Sequence, residues 1–306
     1  LAYIKEIMGR LSTTLKQYSR TFWVANSIEL FERWAWYGMY MLFANYLTGS
    51  LEDGGLEFSQ NQKSVIMAVG TGILYFLPII TGAIADYWGY KKVLVLSFLI
   101  YISGFILFPL FTTYQSVFAI FIYTAIGGAF FKPIISATVA KTTNDKTASI
   151  GFGIFYMMVN VGAFLGPLTS LVAKKQSTDL VFYVSAFLIS LNFILILFYK
   201  EPDRQVKTGS LKDALKIVGI QIVTVFKDWK FVVFLSIISI FWAMYFQLFY
   251  TLPVFIGQWV DSSALYNFFS NSAFILENYT KGNQMDPEFI TNFDAMFIIL
   301  FQVIVS

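Results

Sequence analysis

The spacing of the charges restricts this chain more than any other feature. Between successive charged residues run uncharged stretches 64–85 (22 residues), 93–131 (39), 147–173 (27), 180–199 (20) and 231–260 (30). A helix that crosses the hydrocarbon of a bilayer needs about 20 apolar residues, so each stretch is long enough. The 39-residue stretch is too long for one helix and divides at 109–115 (PLFTTYQ), where a proline breaks the backbone pattern. With the opening stretch added, the spacing predicts helices over 22–48, 61–85, 93–111, 115–139, 149–173, 180–199 and 230–260. An eighth begins near residue 293 and stops short of a full span at Ser306, so the chain reads as one truncated at its C-terminus. The expected fold class is all-α: a polytopic membrane protein with six helices in a first bundle (21–199) and the start of a second (230–306). A composition of 57% hydrophobic and 13% charged residues fits that class and departs from a soluble average.

Lysine and arginine set the orientation. Fifteen lie on the side of the N-terminus: the segment 1–20, Lys91 and Lys92, Lys141 and Lys146, and the connection from Lys200 to Lys230. Four lie on the other side: Lys63, Lys174, Lys175 and Lys281. The positive-inside rule then places the N-terminus in the cytoplasm and the chain in an inner (plasma) membrane, with the lipid bilayer as its first partner. A net charge of +3 gives no reason to expect nucleic acid. With no cysteine and no histidine there is no disulfide or thiolate metal site, and proton chemistry falls to Glu, Asp, Lys or Tyr. No nucleophile-and-base motif, metal cluster or cofactor loop appears, so neither an enzyme nor a cofactor is expected. The connection 200–229 holds SLKDALKIVGIQIVTVFKDW, with a serine three residues ahead of an acid and apolar positions at Leu211, Leu215, Val218, Ile222 and Val225. That is the pattern of a surface-lying amphipathic helix joining two bundles. The segment 1–20, with Ile4, Met8, Leu11 and Leu15, has the same character. A plain linker and a frayed tail are the competing readings of these two segments.

Two basic residues, Arg33 and Lys132, fall inside predicted spans. Arg33 belongs to ELFERWAWYG, residues 29–38. At 100° per residue, Glu29, Glu32, Arg33, Trp36, Tyr37 and Tyr40 share an arc of about 140°, with Leu30, Phe31, Trp34, Gly38 and Met39 opposite. The charges lie roughly 10 to 16 Å from the cytoplasmic end of the helix, too deep to snorkel. A charge at that depth costs at least about 2.5 kcal/mol, so such groups face a bundle interior and pair. Lys132, on the fourth helix, lies at about the same depth and is the expected fourth member. Glu29, Glu32, Arg33 and Lys132 sum to zero when ionised, so protonating one glutamate loosens the set, as in a proton-controlled latch. A static ion network fixing helices 1 and 4 is the other reading of the same residues.

ELFERWAWYG resembles the E-x-x-E-R-F-x-Y-Y-G motif on the first helix of the proton-dependent oligopeptide transporter family, a branch of the major facilitator superfamily. The stretches YFLPIITGAIADYWGYKK (75–92), GGAFFKPIISA (127–137), FYMMVNVGAFLGP (155–167) and IFWAMYFQ (240–247) resemble that family in order and spacing. The resemblance implies a proton-coupled symporter that imports di- or tripeptides by alternating access, with protons and small peptides as partners. It implies that Glu29, Glu32, Arg33 and Lys132 couple the proton, and that Trp36, Tyr37, Tyr40, Tyr75, Asn160 and Gln247 line the substrate cavity. It further implies that Gly82, Asp86, Gly89, Lys91 and Lys92 clasp the cytoplasmic side, a basic turn serving only topology being the alternative; Pro133 itself frees a backbone carbonyl beside Lys132, which helps the fourth helix bend. An interhelical hydrogen bond at Asn160 and a core tyrosine at Tyr75 are the structural alternatives. Two departures bear on the cargo. Where the family commonly has a second arginine, seven positions after Arg33, this chain has Tyr40, and the helix 7 acid is missing, with Tyr245 and Phe246 nearby. Another small solute on the same scaffold is therefore the alternative passenger, and a membrane scaffold without transport is the alternative class.

Overall fold

The computed structural model describes residues 15–203 and 211–305. Ile4, Met8 and Leu11 of the N-terminal segment, and residues 204–210 of the connection, lie outside the described residues. The first bundle comprises α1 (Arg20–Thr48), α2 (Gln60–Phe76), α3 (Pro78–Trp88), α4 (Tyr90–Leu110), α5 (Tyr114–Lys141), α6 (Ala148–Gln176) and α7 (Thr178–Phe198). After the connection come α8 (Leu211–Lys227), α9 (Trp229–Tyr245), α10 (Gln247–Tyr250) and α11 (Leu252–Trp259). Short helices α12 (Ser263–Phe268) and α13 (Ala273–Asn278) lead to a hairpin of β1 (Thr280–Lys281) and β2 (Gln284–Met285), then to α14 (Pro287–Thr291) and α15 (Phe293–Val305). The end of the bundle that carries residues 199–203 is called the linker end, and the opposite end the hairpin end.

Helices α4, α5, α6, α7 and the stretch Trp229–Tyr250 are long and apolar enough to cross a membrane, and α2 with α3 makes a sixth if counted as one bent span. At 29 residues α1 is also long enough, but its charges and tyrosines leave it too polar for that set. The all-α membrane architecture expected from the charge spacing is what the chain forms. The boundaries follow local chemistry. The Ser19 hydroxyl accepts from the Phe22 amide to start α1, Ser59 and Gln62 make a reciprocal capping box at α2, and Thr113 caps α5. The 39-residue stretch does divide where expected, with Pro109 in the last turn of α4 and α5 starting at Tyr114.

Two spans predicted as single helices are broken. The span 61–85 bends by 43° between Phe76 and Pro78, because Pro78 has no amide to continue the ladder and begins a new helix instead. The span 230–260 is interrupted at Phe246 and again at Thr251, ahead of Pro253 in the first turn of α11. Both breaks fall beside the residues expected to line the cavity.

α1 is the central strut. It packs along α6 and α7, α4 lies against α5 and α7, and α2 lies on α5. Phe43 stacks on Phe121 at 4.7 Å and meets Phe108 edge-on at 5.5 Å, and Phe108 stacks on Phe182 at 5.0 Å. One aromatic group thus joins α1, α4, α5 and α7 by van der Waals packing, the force that remains when lipid is as apolar as the core. Where α1 crosses α6, small residues bring the backbones together. A β-carbon placed on Gly162 would lie 2.7 Å from that of Arg33, and one on Gly166 would lie 2.6 Å from the Gly38 amide nitrogen. That approach fixes how deep Arg33 sits. α8 packs on α3 and leaves Ile217, Ile220 and Val223 exposed, as a helix lying along a membrane surface does.

Candidate functional site

α1 carries one buried ionic cluster. Glu29, Glu32 and Arg33 are all buried, with Glu32 at 0% exposure. The Arg33 guanidinium forks onto Glu32, its Nε meeting Oε2 and its Nη2 donating to Oε1 at 2.7 Å, and Nε also lies 3.2 Å from Glu29 Oε1. The geometry follows from spacing, since Glu29 is one helical turn before Arg33. Tyr101, on α4, donates its hydroxyl to Glu32 Oε1 at 2.5 Å. With two donors on that oxygen and Arg33 on the other, Glu32 is held on three sides. Tyr101 was not singled out from the sequence, though its depth in α4 is close to that of Glu32 in α1 and would have found it.

Lys132 does not join the ion pairs as expected. Its ammonium stands over the Tyr75 ring, 4.0 Å from the centroid, while remaining within electrostatic reach of Glu29 and Glu32. The guanidinium fork and the Tyr101 hydroxyl already occupy Glu32, and Arg33 also lies beside Glu29. A cation over an aromatic face gains about 0.5 to 2 kcal/mol, which makes Tyr75 the available partner. Pro133 follows Lys132 inside α5 without ending the helix.

Two turns along α1 the chemistry changes. Trp36 stacks on Tyr40 at 5.3 Å, and Phe121 backs both rings. The Tyr40 hydroxyl lies 3.0 Å from Thr71 Oγ1 on α2 and donates to the Tyr250 hydroxyl at 3.1 Å, while Tyr250 donates to Thr71 at 2.8 Å. Three hydroxyls from α1, α2 and α10 therefore close a triangle without any charge. Tyr37 meets Phe249 at 5.8 Å and Tyr75 meets Phe246 at 5.5 Å. Lys63, buried at the start of α2, donates to the Tyr250 carbonyl at 3.1 Å, beside the break of the seventh span at Thr251. Trp36, Tyr37, Tyr40 and Tyr75 are thus brought together, joined by Thr71, Phe246, Phe249 and Tyr250, which the motifs did not mark.

Gln247 and Asn160 are placed differently. Gln247 is exposed, donates to the Ala243 carbonyl and accepts from Thr251, so the helix turns Phe246 and Tyr250 toward the cluster instead. Asn160 donates to the Tyr156 carbonyl one turn back on α6. At the linker end Gly89 takes φ +103°, a conformation that suits glycine, and so turns α3 into α4. Asp86 accepts from the Tyr90 hydroxyl at 3.0 Å, and Lys141 donates to that hydroxyl at 3.1 Å. Among the described residues Lys141 is thus chained to Asp86 through Tyr90, while Lys91 is half-buried and Lys92 exposed on the first turn of α4. A cavity of about 530 Å³ opens here between Gly82, Asp86, Tyr90, Pro133 and Lys141.

A bundle with a bent second span, a glycine turn between α3 and α4 and a buried ionic cluster on α1 defines a class of multi-pass membrane protein. Residues 25–276 match the family model of the Major Facilitator Superfamily, and the chain belongs to that superfamily. Within it, the chain is 27% identical over 147 residues to the peptide transporter YePEPT of Yersinia enterocolitica, an alignment covering 46% of this chain and 29% of that protein. It is 29% identical over 223 residues to dipeptide and tripeptide permease A of Proteus mirabilis, covering 69% of this chain and 44% of the permease. The chain thus spans less than half the length of these two relatives, both of them transporters and not enzymes. A crystal structure of the peptide transporter POT in complex with sulfate superposes with a TM-score of 0.63 at 20% identity, covering 94% of this chain and 67% of that one. At that identity the likeness speaks for the fold. The resemblance read from the five motifs is borne out.

Proposed function

We propose that this chain takes part in proton-coupled import of small peptides by alternating access. In this reading residues 21–199 are the first bundle, 200–229 the cytoplasmic linker and 230–306 the opening of the second bundle. The N-terminus and linker end face the cytoplasm across an inner membrane, as the count of basic residues supports. The observation that carries the reading is the buried set Glu29, Glu32 and Arg33, completed by Tyr101. Four polar groups in a membrane interior cost far more than apolar packing, which favours a working proton site over a simple brace. Protonating Glu32 would release the Arg33 fork and the Tyr101 bond together, and Lys132 over Tyr75 would sense the change through its field. Substrate would sit between the rings of Tyr37, Tyr75 and Phe246, near Asn160, at the broken segments of the second and seventh spans. Gly82, Asp86, Gly89 and Pro133, with Lys91 and Lys92, would close the linker end when the hairpin end opens.

Peptide as cargo is supported by the names of the relatives. Tyr40 favours a second passenger: its hydroxyl is engaged by Thr71 and Tyr250, so it offers no cation to a peptide carboxylate. A small solute without that carboxylate suits this wall of the cavity better. The test is uptake of labelled dialanine into proteoliposomes. Accumulation above equilibrium that needs an inward proton gradient, and that falls when Lys132 is replaced in Lys132→Ala, supports the reading. Uptake indifferent to the gradient sinks it, and competition by an uncharged solute but not by dialanine selects the second passenger.

A further inference from the structure

At the hairpin end a cavity of about 680 Å³ lies between α1, the start of α7 and the segment that runs from α11 to α14. Its polar lining is tied down at several points, among them Ser262, which donates its amide and hydroxyl to Gln284 Oε1. Glu288, only 1% exposed, accepts from Asn45 Nδ2 of α1 at 2.7 Å. Two residues earlier, the half-buried Asp286 carboxylate lies 3.9 Å from the Lys175 ammonium of α6, whose shorter bond goes to the Thr280 carbonyl. Lys281 pairs with Asp53 at 2.7 Å. The segment itself is a unit, since the Tyr279 ring stacks on Phe289 at 4.9 Å and the Asp286 amide bonds the Tyr279 carbonyl at 2.8 Å. At its far end Asn292 donates to the Phe164 carbonyl on α6 at 2.9 Å.

Docking this unit takes two carboxylates, two residues apart, out of water together. We propose that residues 280–288 form a latch over the hairpin-end cavity, closed on Asn45 and Lys175 and tightened by proton binding to the Asp286 carboxyl beside the Glu288 charge. The sign follows from the surroundings of Asp286. Burial pushes its carboxyl above the ordinary range and the Glu288 charge adds to that, while Lys175, Lys174 and Lys281 pull the other way without offsetting it. A group that binds its proton more tightly when docked favours the docked state at low pH. That advantage is complete below the ordinary carboxylate value and disappears as pH rises through the raised one. The latch would then close as the medium at the hairpin end acidifies. This proposal goes beyond proton coupling at α1 and stands independently of it.

The chain has no native cysteine, which makes thiol labelling direct. Val181 lines the cavity at 2% exposure, and Leu51 is 65% exposed outside it. Thiols introduced separately by Val181→Cys and Leu51→Cys are labelled with a membrane-impermeant maleimide, and the ratio of the two rates cancels the intrinsic effect of pH on the thiol. The ratio should fall about threefold or more between about pH 8 and about pH 5. Asp286→Asn, which copies the protonated form, should hold it low at both values; Glu288→Gln, which keeps an acceptor for Asn45, is the second variant and should flatten the pH response. A ratio unchanged by pH, or a full pH response surviving in both variants, overturns the proposal. So does loss of the response in Glu32→Gln, because the proton would then be acting at α1. Persistence of the response in Glu32→Gln supports the latch.

Discussion

The first helix carries two polar centres about two turns apart, and they are built on opposite principles. Around Glu32 the contacts are ionic, lie mostly within one helix, and are buried beyond the reach of solvent. Around Tyr40 they are neutral hydroxyls and rings, and they run between α1, α2 and α10. Charge sits where helices of one bundle meet, whereas at Tyr40 the bundle meets the broken seventh span through neutral side chains, and Lys63 reaches only the Tyr250 backbone. A neutral contact can separate without exposing a bare charge to lipid, while an ionic one resists separation until a proton cancels part of it. The two centres are thus suited to different tasks: holding charge at the first and parting at the second.

Substitutions can break this contrast. The largest effect is expected from Arg33→Met, which leaves Glu29 and Glu32 buried without their cation and should cost about 3 to 5 kcal/mol. Thermal melting in detergent would read it as a sharply lowered Tm, and a Tm close to the parent's would contradict the ionic account. Gly162→Val inserts side-chain atoms where a β-carbon already falls 2.7 Å from that of Arg33. A cost of about 1 to 3 kcal/mol is expected by the same measurement, most of it because the α1–α6 crossing must open.

The charge spacing predicted the spans within a few residues, because lipid tolerates no unsatisfied backbone and few charges, so long uncharged stretches admit little else. The spacing also put Glu29, Glu32 and Arg33 on one face of a single helix. It placed Lys132 at the right depth and with the wrong partner, since sequence cannot say that Glu32 is already saturated by Arg33 and a tyrosine from α4. The breaks beside Pro78 and Thr251 were missed for a related reason. A proline or a kink inside an apolar run is tolerated when neighbours re-satisfy the backbone, and Lys63 does this for the Tyr250 carbonyl. Thr71 and Tyr250 carry no motif at all, and only the fold brings them to Tyr40.

Smaller changes sharpen the comparison. Tyr101→Phe removes a hydrogen bond to a carboxylate and should cost about 1.5 to 3 kcal/mol, with a change in the pH dependence of uptake. Tyr250→Phe removes two neutral bonds, each worth about 0.5 to 1.5 kcal/mol, and should leave that pH dependence unaltered. If the two variants shifted the pH profile alike, the division into a charged and a neutral centre would fail.

The most direct test of proton coupling at Glu32 compares two modes of transport in the same proteoliposomes. Glu32→Gln keeps the shape of the side chain but cannot gain or lose the proton. The account predicts that uptake driven by a proton gradient is abolished while exchange of labelled for unlabelled peptide, with no gradient, continues. Gradient-driven uptake at the parent's rate would contradict it.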